Sequence, residues 1–252
     1  MPFFPGRRGR LRHGLRNLGL SLINAAVLAA PSAGATAAVI AAAGELGLGL
    51  TDFIPGDRWP AIAAFVLFDC WMYLWHRANH RYRLLWRFHR AHHSDTDVDA
   101  TTALRFHPGE IAMSTAARLP IYLLLGREAV VVPGYEAVLL AVTLFHHSNI
   151  VLPSGLDRFL RVLIVTPGMH RIHHSDLRVE TDSNYSSVFS FWDRLFGSFR
   201  FRGDGPLVMG LETYRAERWQ TLAGMFLTPF RDDGPVTTSG VYPQGEGRET
   251  PR

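Results

Sequence analysis

The chain has 252 residues, 47% of them hydrophobic and 19% charged, with a net charge of +4. That length supports one sizeable domain rather than two large ones, and a charged share below the roughly 25% of soluble proteins leans toward a membrane. The single cysteine, Cys70, excludes an intramolecular disulfide, a four-cysteine zinc site and a cysteine-held iron–sulfur cluster, while the basic residues, all arginine, are scattered between apolar runs rather than gathered as nucleic-acid binding requires.

Residues 1–16 carry five arginines and read as a cytoplasmic flank. From Asn17 to Gly44 no residue is charged, a run longer than a signal-peptide core; it predicts a membrane-spanning helix with a kink at Pro31. "TDFIPGDRWP" is a turn-rich connection, and "AIAAFVLFDCWMYLW" (61–75) predicts a second apolar helix enclosing Asp69, the two forming a hairpin. Arginines at both open ends place those ends on the cytoplasmic side. Residues 111–150 are apolar but broken by Arg118, Arg127, Glu128 and Glu136, which predicts a shorter hairpin or a re-entrant pair. Residues 151–200 turn mixed in polarity and belong at the membrane surface. The Gly/Pro-rich tail from Arg231 is expected to be disordered. The domain reading is therefore 1–59 for the N-terminal membrane helix and its connection, 60–200 for a central part and 201–252 for a partly disordered tail.

All but one of the 12 histidines lie between residues 76 and 174. "HRAHHSD" at 89–95 is repeated as "HRIHHSD" at 170–176, with nothing around the copies repeating. In each copy three histidines stand at i, i+3 and i+4, on one side of a helix, and "HRANH" sets His76 and His80 at i and i+4. Eight imidazoles in three such clusters exceed what one metal takes, so they point to two metals held between helices. The outlying His13 reads as a surface or satisfied core residue. No His-Glu-x-x-His occurs, which excludes that class of zinc protease, and neither "GELGLGL" nor "FHPGE" completes a dinucleotide or haem motif.

The boxes "HRANH", "HRAHH" and "HRIHH" resemble those of the fatty acid hydroxylase and sterol desaturase superfamily of integral-membrane di-iron enzymes. "TTALRFHPGE" (101–110), "LFHHSNI" (144–150) and "TPGMHRIHHSDLRVETDSNYSSVFSFWDRLFGSFR" (166–200) extend the resemblance, which covers roughly residues 60–200. It implies an all-α integral membrane protein whose transmembrane hairpins carry a cytosolic helical cap with a histidine-rich di-metal site. It further implies metal ligation by His76, His80, His89, His92, His93, His147, His170, His173 and His174, with His107 as a tenth ligand and His146 as a neighbour. Acids that steady the ligand rings are expected at Asp69, on the same helix face as His76, and at Asp95, Asp176 and Glu110, with Glu180 and Asp182 flanking the boxes. Asn184, Tyr185, Trp192 and Asp193 belong to the C-terminal signature, Trp192 and Asp193 as structural support. No catalytic residue beyond the ligands is expected.

The implied activity is O2-dependent hydroxylation or desaturation of a lipid by two iron ions, for which zinc can substitute. Electrons must come from a separate ferredoxin- or cytochrome-like donor with its reductase, docking on the arginines between residues 77 and 90 and on Arg171 and Arg178. The implied location is a bacterial inner membrane with the metals facing the cytoplasm. The competing reading is a non-catalytic His-rich membrane protein that binds or transports metal, or a bis-histidine haem carrier.

Overall fold

A computed structural model of the chain describes residues 3, 9–202 and 206–231. Among these residues the structure is helical, with two isolated bridges (Ile164 to Phe189 and Ser175 to Met209) in place of any strand. The long helices are α1 (Arg10–Leu46), α2 (Trp59–Arg81), α3 (Arg83–His93), α4 (Pro108–Leu125) and α5 (Val132–His147). Shorter ones follow: α6 (Ser154–Leu160), α7 (Pro167–His173), α8 (Arg178–Thr181), α9 (Phe191–Leu195) and α10 (Leu222–Leu227). Most of the expected disordered tail, residues 232–252, lies outside the described residues.

Helix α1 starts at Arg10, ahead of the uncharged run, and continues through Pro31. It stops at Gly47, whose positive φ of 59° lets its N–H return to Ala43 O. Two stretches, Arg10–Phe53 and the α4–α5 pair Pro108–His147, are long and apolar enough to cross a membrane. The expected direct hairpin of α1 with α2 is not the packing found. Helix α1 lies chiefly along α4 and the 126–131 turn, and α2 packs against that turn, α4 and α5. The reason lies in the connection after α1. Gly49 meets Gly126 so closely that a Cβ on Gly49 would stand 2.2 Å from the Gly126 Cα. Gly126 itself has φ 73°, and Asp52 accepts from the main-chain N–H groups of Gly49 (2.8 Å) and Arg127 (3.0 Å). The connection is thereby fastened to the α4–α5 turn, and α4 comes to lie beside α1.

The apolar core fills the space between α2, α4 and α5. Phe68 stacks on Tyr122 (centroids 5.7 Å apart) and meets Tyr135 edge-on (5.1 Å), with Ala64, Met72, Leu125 and Val132 buried around them. Cys70 packs beside Tyr73, Tyr185 and Trp192. The described part of the C-terminal region, 206–231, is packed against the rest. Gln220 donates to Ser94 O (2.9 Å) and Tyr214 O (2.8 Å), and Arg90 donates to the carbonyls of Thr228 and Arg231.

Candidate metal centre

Four helices bring the histidines together. Helix α2 supplies His76 and His80 from its last turns. It breaks at Tyr82, whose extended backbone turns the chain into α3 with His89, His92 and His93 on its inner side. Helix α5 ends with His147. Thr166 caps α7 by accepting from Met169 N, with Pro167 at the first helical position, and α7 carries His170 and His173 up to His174 at its C-terminal end. Nine side chains form two groups, each with nitrogens within 4.8 Å of one another: His76, His80, His89, His93 and His173 in one, His92, His147, His170 and His174 in the other. The repeated phrase is shared across this division, since His92 and His93, and likewise His173 and His174, fall in different groups.

The donor chemistry of these rings suits cations. His76 and His173 donate from Nδ1 to the carbonyls of Tyr185 (2.8 Å) and Ser183 (2.7 Å), and His147 donates to Thr143 O (2.8 Å). His89 donates to Glu110 (2.6 Å) and His80 to Asp182 (3.3 Å). A neutral imidazole carries one N–H, so each of these five rings presents a bare Nε2 lone pair inward. The Nε2 atoms of His76 and His173 stand 3.0 Å apart with no proton to share, and the His80, His89 and His93 Nε2 atoms are buried without partners. Lone pairs facing one another repel unless a positive charge lies among them. Burial, and then the neighbouring imidazoles, pushes the pKa of His92, His93, His170, His173 and His174 well below the ordinary histidine value, keeping them in the neutral form a metal requires.

His107 is not in either group. It caps α4, its Nδ1 accepting from Gly109 N (2.9 Å), and its ring packs against Phe88 and Phe226. A histidine directly before Pro-Gly at a helix start is drawn to the free main-chain N–H groups there. His146 is buried with its ring centroid 4.0 Å from that of His170, outside both groups.

The acids divide differently from the sequence expectation. Glu110 touches the ligand candidate His89. Asp69 touches none: its carboxylate accepts from Tyr135 Oη (2.5 Å), Phe189 N (3.0 Å) and Trp192 Nε1 (2.8 Å). Three donors arriving from α5 and the 189–192 segment occupy the carboxylate and turn it from His76. Asp95 serves His13 (2.9 Å), Thr102 (2.8 Å) and Asp97 N (2.9 Å). Burial alone would raise its pKa, but Arg105 and His13 hold it well below the usual carboxylate range. The Asp176 main-chain N–H donates to Val208 O (2.9 Å), and Glu180 accepts from Arg202 (2.6 Å).

Two other residues position the rings. Asn184 adopts a positive φ of 53°, tolerated by Asn. It donates to Met169 O and Arg200 O and accepts from Arg200 N, so the flanking Ser183 and Tyr185 carbonyls meet His173 and His76. Arg105, fully buried, donates to Ala91 O (2.9 Å), Ser94 Oγ (2.9 Å) and Gln220 Oε1 (3.0 Å), binding the end of α3 to the C-terminal segment. Arg90 and Arg171, expected on a positive surface, are buried instead; Arg171 donates to Ile150 O and stacks on Phe3.

A cavity of about 290 Å³ opens between α2, α4 and α5 and reaches His76, His89, His92, His147 and His170; much of its remaining lining is apolar, including Met72, Phe106, Ile111 and Leu139.

The fatty acid hydroxylase family model matches residues 61–198. The chain is 32% identical over 148 residues to the ornithine lipid hydroxylase OlsE of Rhizobium tropici, a match covering 57% of this chain and 44% of that protein. It is 31% identical over 163 residues to the alkylglycerol monooxygenase of Homo sapiens (63% of this chain, 34% of that protein) and 26% identical over 170 residues to the human lathosterol oxidase (65% and 52%). The chain thus spans about half or less of the length of these relatives. No solved structure matches it.

Proposed function

The chain belongs to the fatty acid hydroxylase family, and from that premise we propose that it is a membrane-embedded lipid oxygenase holding two metal ions, natively iron. The observation that carries this reading is the pair of histidine groups, five of whose rings offer a bare Nε2, gathered beside a largely apolar cavity. Five histidines would hold one ion and His92, His147, His170 and His174 the other, with zinc able to replace iron because it lies above Fe²⁺ in the affinity order. Bound there, the ion pair supplies O2 chemistry able to attack an unactivated C–H bond, with electrons from a separate carrier. The chain's own residues do the rest. Glu110, Asp182 and the Tyr185, Ser183 and Thr143 carbonyls hold five of the nine rings, His89, His80, His76, His173 and His147, in the tautomer that offers Nε2. The apolar wall excludes water and admits a hydrocarbon chain up to the histidines.

The relatives' names, an ornithine lipid hydroxylase, an alkylglycerol monooxygenase and a lathosterol oxidase, support an amphiphilic lipid as substrate and hydroxylation or desaturation of its hydrocarbon part as the outcome. The apolar stretches Arg10–Phe53 and Pro108–His147 support insertion in a membrane, which we take to be the inner membrane of a bacterium. Residues 60–200 would form the catalytic part. Exposed Arg81 and Arg83 near the site offer a positive face for an acidic ferredoxin- or cytochrome-like donor. The test is lipid extraction from cells expressing the chain or its His173→Ala variant under labelled O2. Lipids should gain an oxygen atom or lose two hydrogens only with the intact chain. Identical lipid profiles in iron-replete cells supplied with a donor and reductase would refute the reading.

A further inference from the structure

The histidine-lined cavity is not the whole of the space beside α4. A groove of about 850 Å³ runs along α1 against α4, floored by Ala25, Ala29, Ala33 and Ala37, one per turn. The two spaces share a wall that includes Phe106, Ile111, Arg118 and Glu136. Within this otherwise apolar wall Arg118 of α4 donates from Nη1 to Glu136 of α5 at 2.7 Å. The pair is not sealed: the side chains are 20% and 45% exposed, and the buried Arg118 Nε has no partner. An ion pair in a hairpin apolar enough to cross a membrane is costly unless it serves a ligand or pathway.

We propose that Arg118 and Glu136 form the recognition site for a neutral hydrogen-bonding group, a hydroxyl or an amide, carried by the lipid chain that enters the histidine cavity. This rests on the oxygenase reading above and adds to it the class of substrate and the place of attack. The pair is electrically balanced, so a fully charged headgroup gains little from it. Beyond its contacts with Glu136 and Tyr122 the guanidinium keeps an unpartnered Nε–H, and the part-exposed carboxylate keeps acceptor sites, the complement of a group that donates and accepts at once. The pair's distance from the histidines makes it a ruler. Arg118 stands eight residues along α4 from Glu110, which bonds to His89, or about 12 Å of helix axis, and Glu136 stands eleven residues before His147, or about 16 Å. The oxidised carbon would lie roughly that far from the recognised group. Phe106 and Ile111, shared by both spaces, would hold the chain between.

The test uses binding, so that it stands apart from turnover. Metal-loaded protein in detergent is titrated with hexadecanol and with hexadecane at equal mole fraction in the micelle. The wild-type chain should prefer the alcohol by about 10–100-fold, the weight of a hydrogen bond to a charged group. The double variant R118M/E136L, which leaves neither charge stranded, should keep its metal content and lose that preference. If it does not fold, R118K and E136Q serve, each reducing the preference. No preference in the wild-type chain, or an undiminished one in the folded variants, overturns the proposal. A preserved preference in a protein that oxidises no lipid would refute the oxygenase reading and leave the recognition site standing.

Discussion

Asp69 and Glu110 look alike in the sequence, each an acid within an apolar helix near a histidine box. The structure gives them different work, and paired substitutions should separate the two. Glu110 steadies His89 through one short hydrogen bond, so Glu110→Gln should lower metal affinity by about 10–100-fold while the melting temperature of the metal-free protein stays nearly unchanged. Asp69 gathers Tyr135, Phe189 N and Trp192 Nε1. In Asp69→Asn an amide N–H faces at least one of these donors, at about 1–3 kcal/mol for a buried donor left unpaired. Its melting temperature should fall while metal per folded chain holds, as metal analysis beside thermal unfolding would show. Eight of the nine grouped histidines stood out in the sequence because i, i+3, i+4 spacing is a property of the chain alone, whereas His147 was reached only through the family resemblance. What holds their rings was not legible there. Three of the five Nδ1 partners are main-chain carbonyls, which no residue letter announces, and His107 was drawn off by a local helix cap.

Among the elements, the C-terminal segment was the hardest to read. It lies beyond the residues 61–198 matched by the family model, and its composition resembles a loop. Yet it closes over α3. Arg105 and Arg90, both buried, direct their guanidinium groups to Gln220 and to the Thr228 and Arg231 carbonyls, and the Asp176 and Gly210 N–H groups stitch residues 208–210 beside His174. Ending the chain after Arg202 would leave two buried guanidinium groups short of acceptors, at about 1–3 kcal/mol or more each. The truncated protein should therefore lose metal and resist purification as a monodisperse species, whereas ending it after Arg231 should leave metal content unchanged. Size-exclusion chromatography with metal analysis decides this. If the chain ending at Arg202 retains its metal, the clamp is dispensable. Helix α1 was legible as an apolar span, but its neighbour was not, because the Gly49–Gly126 approach that sets α4 beside it is a contact between distant backbones.

For the whole molecule, the crowding of neutral imidazoles sets a pH limit. Five of them, His92, His93, His170, His173 and His174, have folded-state pKa values pushed well below the ordinary value near 6.5. Below about pH 6.5 the unfolded chain takes up protons that the folded chain refuses, so stability must fall as pH falls, each histidine contributing up to about 1.4 kcal/mol per pH unit. The metal-free protein should unfold at progressively lower temperature from pH 6.5 downward, and the metal-loaded protein should release its metal over the same acidic window. A melting temperature flat from pH 7 to pH 5 would contradict this. The ends of the molecule are also sorted. Arg16 reaches Glu217 (2.8 Å) and His13 reaches Asp95, so the start of α1, the histidine groups and the C-terminal segment share one arginine-rich end, while the Gly49–Gly126 junction lies at the other. Helix α4, with 18 residues, is about 27 Å long, close to the roughly 30 Å of bilayer hydrocarbon. With positive charge retained inside, a reporter fused after Arg252 should register in the cytoplasm, and a cysteine placed at Arg127 in a Cys70→Ala background should react with an impermeant thiol reagent from outside. A C-terminal reporter active only outside the membrane would invert the proposed orientation, and an Arg127 position inert from both sides would make the α4–α5 pair re-entrant.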